Sequence, residues 1–366
     1  MNRYFNKTLR KTLRKANKLV PPRKVVELTR ALQKTWAQGM ADVMEAATTA
    51  PASSAKPSAR PSSATQEGKT DIATSDWQVE TGSFANAAGT RQYRLFVPKH
   101  RPGKAQPALV VMLHGCSQDP EDFARGTRAD EVATEQGMLV LYPAQAQSAN
   151  MQRCWNWFQP GDQQRGQGEP SIIAEMTRQM MVTHDVDPRR VYVAGLSAGG
   201  AMATTMATNY PDLYAALGVH SGLPHGAAHD VMSALAAMRQ GPQRATKDKP
   251  VRVPTIVFHG DDDATVHPCN GAEIVARFEA LHEKQLDWIA EETRTPRVVN
   301  GAVPGGQAYT RTDYPGPAGE VIVEHWLVHG AGHAWSGGDP AGSYTDPEGP
   351  DATREIFRFF LSHPQR

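Results

Sequence analysis

From about Trp77 onward, short apolar runs alternate with longer stretches of mixed polar and apolar residues. The runs lack the polar residue at every second position that marks a strand with one face in water. Continuous apolar runs this short are typical of strands covered on both faces. They lie at residues 108–113, 138–142, 191–194, 215–219 and 255–258.

Between these runs, apolar residues recur at the spacings of amphipathic helices. One shorter segment, 93–97, alternates as a half-buried strand does. Buried strands that alternate with helices predict an α/β domain, with a mostly parallel central sheet and helices on both faces. The predicted helices are 128–136, stopped by Gly137, then 170–184, 199–210, 271–283 and 352–361.

Two segments precede this domain, which is predicted to occupy residues 77–366. Residues 1–47 form a basic extension, in which a helix is predicted over 24–47. Residues 48–76 are rich in Ala, Ser and Pro. Such a segment cannot bury enough apolar surface to offset its ordering entropy, so we predict a flexible linker. The basic residues are interpreted as a solvated tail rather than as an arm for nucleic acid or membrane.

Charge and apolar content exclude several classes of partner. The formal net charge of +1 gives no reason to expect nucleic acid. No run approaches the ~18 apolar residues that span a bilayer. The N-terminus has no apolar signal-peptide core, because Lys and Arg recur up to Leu19. These features predict a cytoplasmic protein without a membrane span, and they leave the oligomeric state open.

The most specific local motif is Gly-Leu-Ser-Ala-Gly at 195–199, between a buried run and a predicted helix. In a nucleophile elbow, a strand turns sharply into a helix and lifts a serine hydroxyl above the sheet edge. Glycines flank the serine because a Cβ at either position would crowd the turn. The pattern alone is weak, but its place between strand and helix is what the motif requires. Ser197 is therefore the candidate nucleophile.

A serine nucleophile needs a base, and the base needs an orienting group. Three consecutive aspartates follow one buried strand, and His333 follows a strand-like segment nearer the C-terminus. Both places lie beyond the carboxyl ends of strands, where open α/β sheets build their sites. Asp263 is the predicted acid and Asp262 its nearest rival, whereas Asp261 is interpreted as a turn cap. The order Ser197, Asp263, His333 is that of the α/β-hydrolases.

An oxyanion needs backbone N–H donors close to the nucleophile. The amides of Cys116, which follows an early buried strand, and of Ala198 are the predicted donors. Cys116 is predicted to contribute its amide and not its sulfur. A disulfide to Cys154 beside this hole is a hypothesis that would leave Cys269 as a free thiol. Three cysteines are too few for a metal ribbon or a disulfide scaffold.

The histidines outside this triad have less reactive interpretations. His325, His329 and His333 recur at i, i+4 and i+8, a spacing that would align metal ligands on a helix. The β-branched residues and glycines around them oppose a helix, so we predict no metal site. His114 and His259 each precede a glycine after a buried strand, and we interpret them as structural hydrogen-bonding residues.

Three tryptophans lie near these motifs. Trp335 is two residues from His333, and Trp155 and Trp157 lie in a long loop after the strand at 138–142. Tryptophan is more often a core residue, but this placement makes all three candidates for lining a substrate cleft.

Five segments, in the family's order, resemble the polyhydroxybutyrate depolymerase family of esterases. They are LVVMLHGCSQDPEDFARGTR, CWNWF, VYVAGLSAGGAM, FHGDDDATVHPCN and GAGHAWSGG, within residues 80–362. The resemblance implies an α/β-hydrolase fold and a serine hydrolase that acts on carboxylic esters without a metal or cofactor. Matched motif by motif, the nucleophile falls on Ser197, the acid on Asp263 and the base on His333. Because the family has secreted members, the resemblance also admits an extracellular location.

The expected substrates are short-chain or hydroxyalkanoate esters, in small or oligomeric form, since no polymer-binding module is visible. A feruloyl- or acetylxylan-type esterase is the alternative within the family. A non-catalytic binding protein on this fold would need a defective triad, and none of the three positions is defective. The segment GLSAGG is neither GxGxxG nor a Walker loop, so it indicates no nucleotide site.

Overall fold

The computed structural model describes residues 76–99, 105–242, 251–286, 295–316 and 318–365. The predicted helix over 24–47 and all but the last residue of the predicted linker over 48–76 lie outside these ranges. The strands are β1 (Trp77–Asn86), β2 (Gly89–Pro98), β3 (Leu109–Leu113), β4 (Leu139–Pro143), β5 (Val191–Leu196), β6 (Ala216–His220), β7 (Thr255–Gly260), β8 (Arg297–Ala302), β9 (Ala308–Pro315), β10 (Val321–Val328), β11 (Trp335–Ser336) and β12 (Thr345–Asp346).

One large sheet has the strand order β1-β2-β4-β3-β5-β6-β7-β10-β9-β8. From β4 to β10 all neighbours are parallel. Every residue of β3, β4, β5, β6 and β7 is buried. The prediction of parallel strands covered on both faces is therefore confirmed.

Antiparallel strands flank this parallel centre. The β1–β2 hairpin pairs with β4, and β9 and β8 continue the sheet beyond β10. The sequence analysis did not predict β1, β8 or β9. Their residues are mostly half-buried or exposed, so they lack the continuous apolar run that marks the central strands.

The helices follow the strands in the alternation that the sequence predicts. They are α1 (Pro120–Thr127), α2 (Ala129–Gln136), α3 (Gly168–Thr183), α4 (Ala198–Asn209), α5 (Val231–Gln240), α6 (Cys269–Leu286) and α7 (Ala352–Leu361). The five predicted helices correspond to α2, α3, α4, α6 and α7 within a few residues. Gly137 ends α2 with φ 65°, a left-handed conformation that glycine adopts without strain.

Helices α1 and α5 were missed, although both carry start signals in the sequence. The Asp119 carboxylate accepts the N–H groups of Glu121 and Asp122 at the start of α1. Asp230 and Ser233 form a capping box at the start of α5. These side chains satisfy backbone donors that have no partner inside a helix. Among the described helices, none has the length and apolar content needed to cross a membrane.

The core on one side of the sheet is completed by α7. Phe357, Phe359 and Phe360 of this helix are fully buried, and Phe360 stacks on Tyr192 of β5 with ring centroids 4.8 Å apart. The same cluster includes alternate residues of β3 and β4 and buried residues of α1 and α2. The last helix therefore closes the core directly beneath the strand that leads to Ser197.

Replacing Phe360 by alanine is expected to lower the free energy of unfolding by about 3–5 kcal/mol, because it removes a fully buried ring and leaves a cavity. Denaturant titration would measure the loss. The control is Val182→Ala on α3, where the side chain is 85% exposed. Equal stabilities of the two variants would contradict this description of the core.

Candidate active site

The three predicted triad residues all follow carboxyl ends of parallel strands. Ser197 comes directly after β5, Asp263 follows β7, and His333 follows β10. The carboxyl ends of parallel strands meet at one edge of a sheet, which is where open α/β folds bind ligands. The topology therefore brings the three segments to the same edge.

Ser197 occupies the strained turn of a nucleophile elbow. Its φ is 57° and its ψ is −120°, and α4 begins at the next residue. A Cβ at Gly195 would lie 2.7 Å from the Leu113 carbonyl oxygen. At Gly199 a Cβ would overlap the carbonyl oxygens of Leu113 and His114. Both glycines are thus required by the close approach of β3 to the turn.

The Asp263 carboxylate is buried, at 3% exposure, and well supplied with donors. Its Oδ1 accepts the backbone N–H groups of Thr265 and Val266 at 2.9 and 2.8 Å. Its Oδ2 lies 2.7 Å from His333 Nδ1 and 3.4 Å from His259 Nε2. These contacts fix the carboxylate in one orientation, with one oxygen facing His333.

Burial alone would raise the pKa of Asp263. The charge of His333, with hydrogen bonds from His259 and His333, outweighs burial and holds that pKa well below its usual range. The carboxyl is therefore ionised at neutral pH and able to stabilise an imidazolium at His333.

The second ring nitrogen of His333 is available for chemistry. His333 Nε2 is buried and has no hydrogen-bond partner among the described residues, so no bond to Ser197 Oγ is formed in this conformation. Catalytic hydrogen bonds in unliganded sites are often long and tighten only with substrate. The arrangement leaves one imidazole nitrogen anchored to a carboxylate and the other able to accept a proton.

The remaining aspartates and His329 have other partners. Asp261 accepts from the Gly330 N–H at 2.7 Å and lies 2.8 Å from His329 Nδ1. The Asp262 side chain is exposed, so the carboxylate beside His333 belongs to Asp263 and not to its rival. Since His329 and His333 face different aspartates, the i, i+4, i+8 spacing brings no shared metal site. No group of metal-ligating side chains occurs in the described part of the chain.

The loop after β3 presents the predicted oxyanion donor. The N–H of Gly115 donates to Gln118 Oε1 at 2.9 Å, and that of Ser117 donates to the Gln152 carbonyl at 2.6 Å. The Cys116 amide lies between these two engaged amides. Ala198 is the first residue of α4, where an N–H has no partner within the helix.

A disulfide joins Cys116 to Cys154, as hypothesised, and Cys269 is free. The loop that holds Cys154 is further tied down by Gln145, whose side chain donates to the Cys154 carbonyl at 2.8 Å. The Gln145 N–H donates to His114 Nε2 at 3.0 Å. The segment around Cys116 and the loop that holds Cys154 are thus joined by one covalent bond and by the hydrogen bonds of Gln145.

Sequence reasoning missed Glu169, a buried carboxylate at the start of α3. It accepts hydrogen bonds from the side chains of Gln145, Asn156 and Arg91 and from the Asn156 backbone. Burial, followed by the nearby charge of Asp162, raises its pKa. Glu169 lies one residue before the predicted helix over 170–184, where a glutamate is expected at the surface, and only the fold reveals that four donors converge on it.

His114 and His259 both contact backbone groups, which fits the structural role interpreted from the sequence. His114 Nδ1 lies 2.8 Å from the Gly115 carbonyl oxygen, while Nε2 accepts from Gln145. Burial lowers the pKa of His114 to about 4. His259 Nε2 lies 2.7 Å from the Val266 carbonyl oxygen. Both rings hold backbone groups of loops that border the triad.

The expectation that three tryptophans line a substrate cleft is corrected. Trp335 is 1% exposed, stacks near His220, and donates Nε1–H to Thr353 Oγ1 at 3.0 Å. Trp155 is fully buried and packs on His114, and Trp157 is buried against Phe158. Each ring fills space beneath a loop of the site, so its contribution is to shape that loop.

The sheet order, the serine elbow and the Asp–His pair together define a protein with the α/β-hydrolase fold. A solved acetyl xylan esterase from Aspergillus awamori superposes with a TM-score of 0.57 over 74% of this chain and 94% of its own, at 20% identity. That likeness bears on the fold. The family described as "Esterase PHB depolymerase" matches residues 91–290, more than half of the chain, and the chain belongs to this family.

The relatives of this chain include a polyhydroxyalkanoate depolymerase and a feruloyl esterase. The chain is similar to poly(3-hydroxyalkanoate) depolymerase C of Paucimonas lemoignei, with 34% identity over 271 residues, 70% of this chain and 61% of the relative. It is also similar to feruloyl esterase B of Neurospora crassa, with 34% identity over 149 residues, 40% of this chain and 49% of the relative. The matched part of the chain thus spans about half to three fifths of the length of these relatives.

The disulfide yields a first prediction at this site. The unfolded protein should show one reactive thiol without reductant and three with it. Replacing both Cys116 and Cys154 by serine should lower the free energy of unfolding by about 4 kcal/mol, given the sequence separation of 38 residues. Cys269→Ser is the control and should leave stability nearly unchanged. Three thiols without reductant would contradict the bridge.

The buried histidines yield a second prediction, on pH. Burial lowers the pKa of His325 to about 4, whereas an unfolded imidazole titrates near pH ~6.5. Below that pH the unfolded chain binds a proton that the folded chain does not, so stability falls as pH falls toward about 4. Between pH ~7 and ~5, the free energy of unfolding of His325→Gln should therefore fall by about 2 kcal/mol less than that of the wild type.

Denaturant titrations at the two pH values would measure this difference. The matched control is His229→Gln, because the His229 side chain is exposed, and it should follow wild type. An unchanged pH dependence in His325→Gln would contradict the neutral, buried state of that ring.

Proposed function

We propose that this protein is a serine hydrolase of carboxylic esters, acting through an acyl-enzyme. The observation that carries the proposal is the 2.7 Å contact between the buried Asp263 carboxylate and His333 Nδ1, at the sheet edge where Ser197 occupies a strained elbow. Family membership supports the same reading.

The proposed mechanism follows from these positions. Ser197 Oγ attacks the ester carbonyl while His333 Nε2 takes its proton, and Asp263 stabilises the imidazolium that forms. The amides of Cys116 and Ala198 donate to the oxyanion, a contribution of about 10²–10³ in turnover for each donor. The alcohol leaves with the proton from His333. His333 then takes a proton from water, whose oxygen attacks the acyl carbonyl, and Ser197 leaves with that proton as the carboxylic acid is released.

For the substrate, we propose short-chain or hydroxyalkanoate esters, in small or oligomeric form. This choice is supported by the matching family and by the name of the Paucimonas lemoignei relative, which covers the larger part of this chain. Feruloyl or acetylxylan-type esters are the second candidate, supported by the name of the Neurospora crassa relative. A non-catalytic binding role has no support in the geometry, since the Asp–His pair is intact.

We propose further that the protein works in an oxidising compartment, in contrast to the cytoplasmic location that the sequence analysis predicts from the lack of an apolar signal-peptide core. The Cys116–Cys154 disulfide supports this, because disulfides persist in secreted and periplasmic proteins and are rare in the cytosol. Fractionation of the source cells would decide between the two, and recovery in the cytosolic fraction would overturn the proposal.

Ser197→Ala should abolish ester hydrolysis while leaving stability unchanged, because it removes the nucleophile and one buried hydroxyl. The measurement is hydrolysis of nitrophenyl acetate, butyrate and octanoate, a 3-hydroxybutyrate oligomer and methyl ferulate. Ser83→Ala, at an exposed position of β1, is the matched control and should retain full activity.

The outcomes separate the candidates. Preference for the hydroxybutyrate oligomer supports the first substrate class, and preference for methyl ferulate the second. Activity that survives in a clean Ser197→Ala preparation would overturn the mechanism. No turnover by wild type on any of the five esters would count against the substrate classes proposed.

A further inference from the structure

His220 contacts both halves of the site without belonging to the triad. It is the last residue of β6, which lies between β5, the strand leading to Ser197, and β7, the strand leading to Asp263. Its side chain is buried. The sequence analysis gave it no role, although its place at a carboxyl strand end was a readable signal.

The main chain of His220 holds the nucleophile elbow. Its carbonyl oxygen accepts the N–H of Ser197 at 2.9 Å. This bond lies at the end of the β5–β6 ladder, whose last pair is Leu196 with His220. Because Ser197 has a strained backbone, a bond to its own N–H restrains the peptide from which its side chain projects.

The ring of His220 holds the loop that carries the base. Nε2 accepts the N–H of Ser336 at 3.0 Å, three residues beyond His333. The ring also stacks on Trp335, with centroids 5.1 Å apart and an interplanar angle of 26°. A single residue therefore joins the elbow of the nucleophile to the loop of the base.

The ring is suited to this task because it stays neutral. As an acceptor at Nε2 it carries its proton on Nδ1, which lies 3.2 Å from Ser221 Oγ. Burial, and then the charges of His259 and His333, lower the pKa of His220 to about 3. A cation here would repel the His333 imidazolium, and an anion would compete with Asp263 for it.

We propose that His220 is a positioning residue that sets the separation between Ser197 and His333, its carbonyl fixing the elbow and its ring fixing the loop of the base. The inference rests on the proposed function, since His220 touches no reacting atom. The separation matters because the Ser197–His333 contact must form during the reaction, and a misplacement of ~1 Å can cost about 10²-fold in rate.

Two matched substitutions isolate the ring's hydrogen bond. In His220→Gln the amide oxygen reaches close to the Nε2 position, whereas in His220→Asn it reaches only close to Nδ1. Both variants lose the stacked ring and keep the backbone carbonyl. We expect His220→Asn to lower kcat by about 10–100-fold while KM changes by less than about twofold. The kcat of His220→Gln should be at least about tenfold higher than that of His220→Asn.

A second readout does not depend on knowing the substrate. The second-order rate at which a fluorophosphonate labels Ser197 requires proton transfer to His333 and should fall in parallel with kcat. His325→Gln, at a half-buried histidine of β10, is the control and should label at the wild-type rate. Thermal unfolding of each variant separates lost positioning from lost folding.

Equal labelling rates and equal kcat in the Gln and Asn variants would overturn the inference, as would a change confined to KM. If either polar variant fails to fold, His220→Phe replaces it, because it retains a stacked ring but has no hydrogen-bond acceptor. Its kcat and labelling rate should be as low as those expected for His220→Asn. Wild-type values of both would overturn the inference. Wild-type protein that is never labelled would instead overturn the proposed function itself.

Discussion

Parallel hydrogen bonding along β4, β3, β5, β6, β7 and β10 is the constraint on which the site depends. It places the carboxyl ends of six strands at one edge, so segments far apart in the chain begin side by side. The ladder also reaches the chemistry directly, because the Ser197 N–H donates to the carbonyl at the end of β6. Helices and antiparallel edge strands keep the parallel centre dry. The position of Ser197, Asp263 and His333 at one edge thus follows from backbone pairing.

Several polar side chains are buried at this edge of the sheet, and the charged one that contacts His333 is Asp263. His114 and His220 are held neutral by burial, and each accepts a backbone N–H at Nε2. Glu169 is surrounded by its own donors. The carboxylate that faces His333 is that of Asp263. In a water-poor setting each such contact is stronger than it would be in solvent.

Much of this architecture could be predicted from the sequence, because the central strands are apolar throughout and the elbow has a glycine on each side of Ser197. The order of Ser197, Asp263 and His333 followed from the same reasoning. What could not be predicted depends on tertiary contacts. Nothing in the sequence around Trp335 shows that its ring packs in the core rather than beside the substrate, and the convergence of four donors on Glu169 arises from segments distant in the chain. The edge strands escaped detection because only a fraction of their residues is buried.

The Cys116–Cys154 bridge has a consequence for how the protein is produced. Cys116 supplies a backbone amide proposed for the oxyanion, and the bridge anchors that residue to a loop that also rests on Gln145. In a host with a reducing cytosol the two thiols would stay unpaired and this tether would be open. A lack of activity in protein from such a host would then reflect the missing disulfide, and it would not show that the protein with the disulfide is inactive. Export to an oxidising compartment of the host is therefore the appropriate route to material for enzymology.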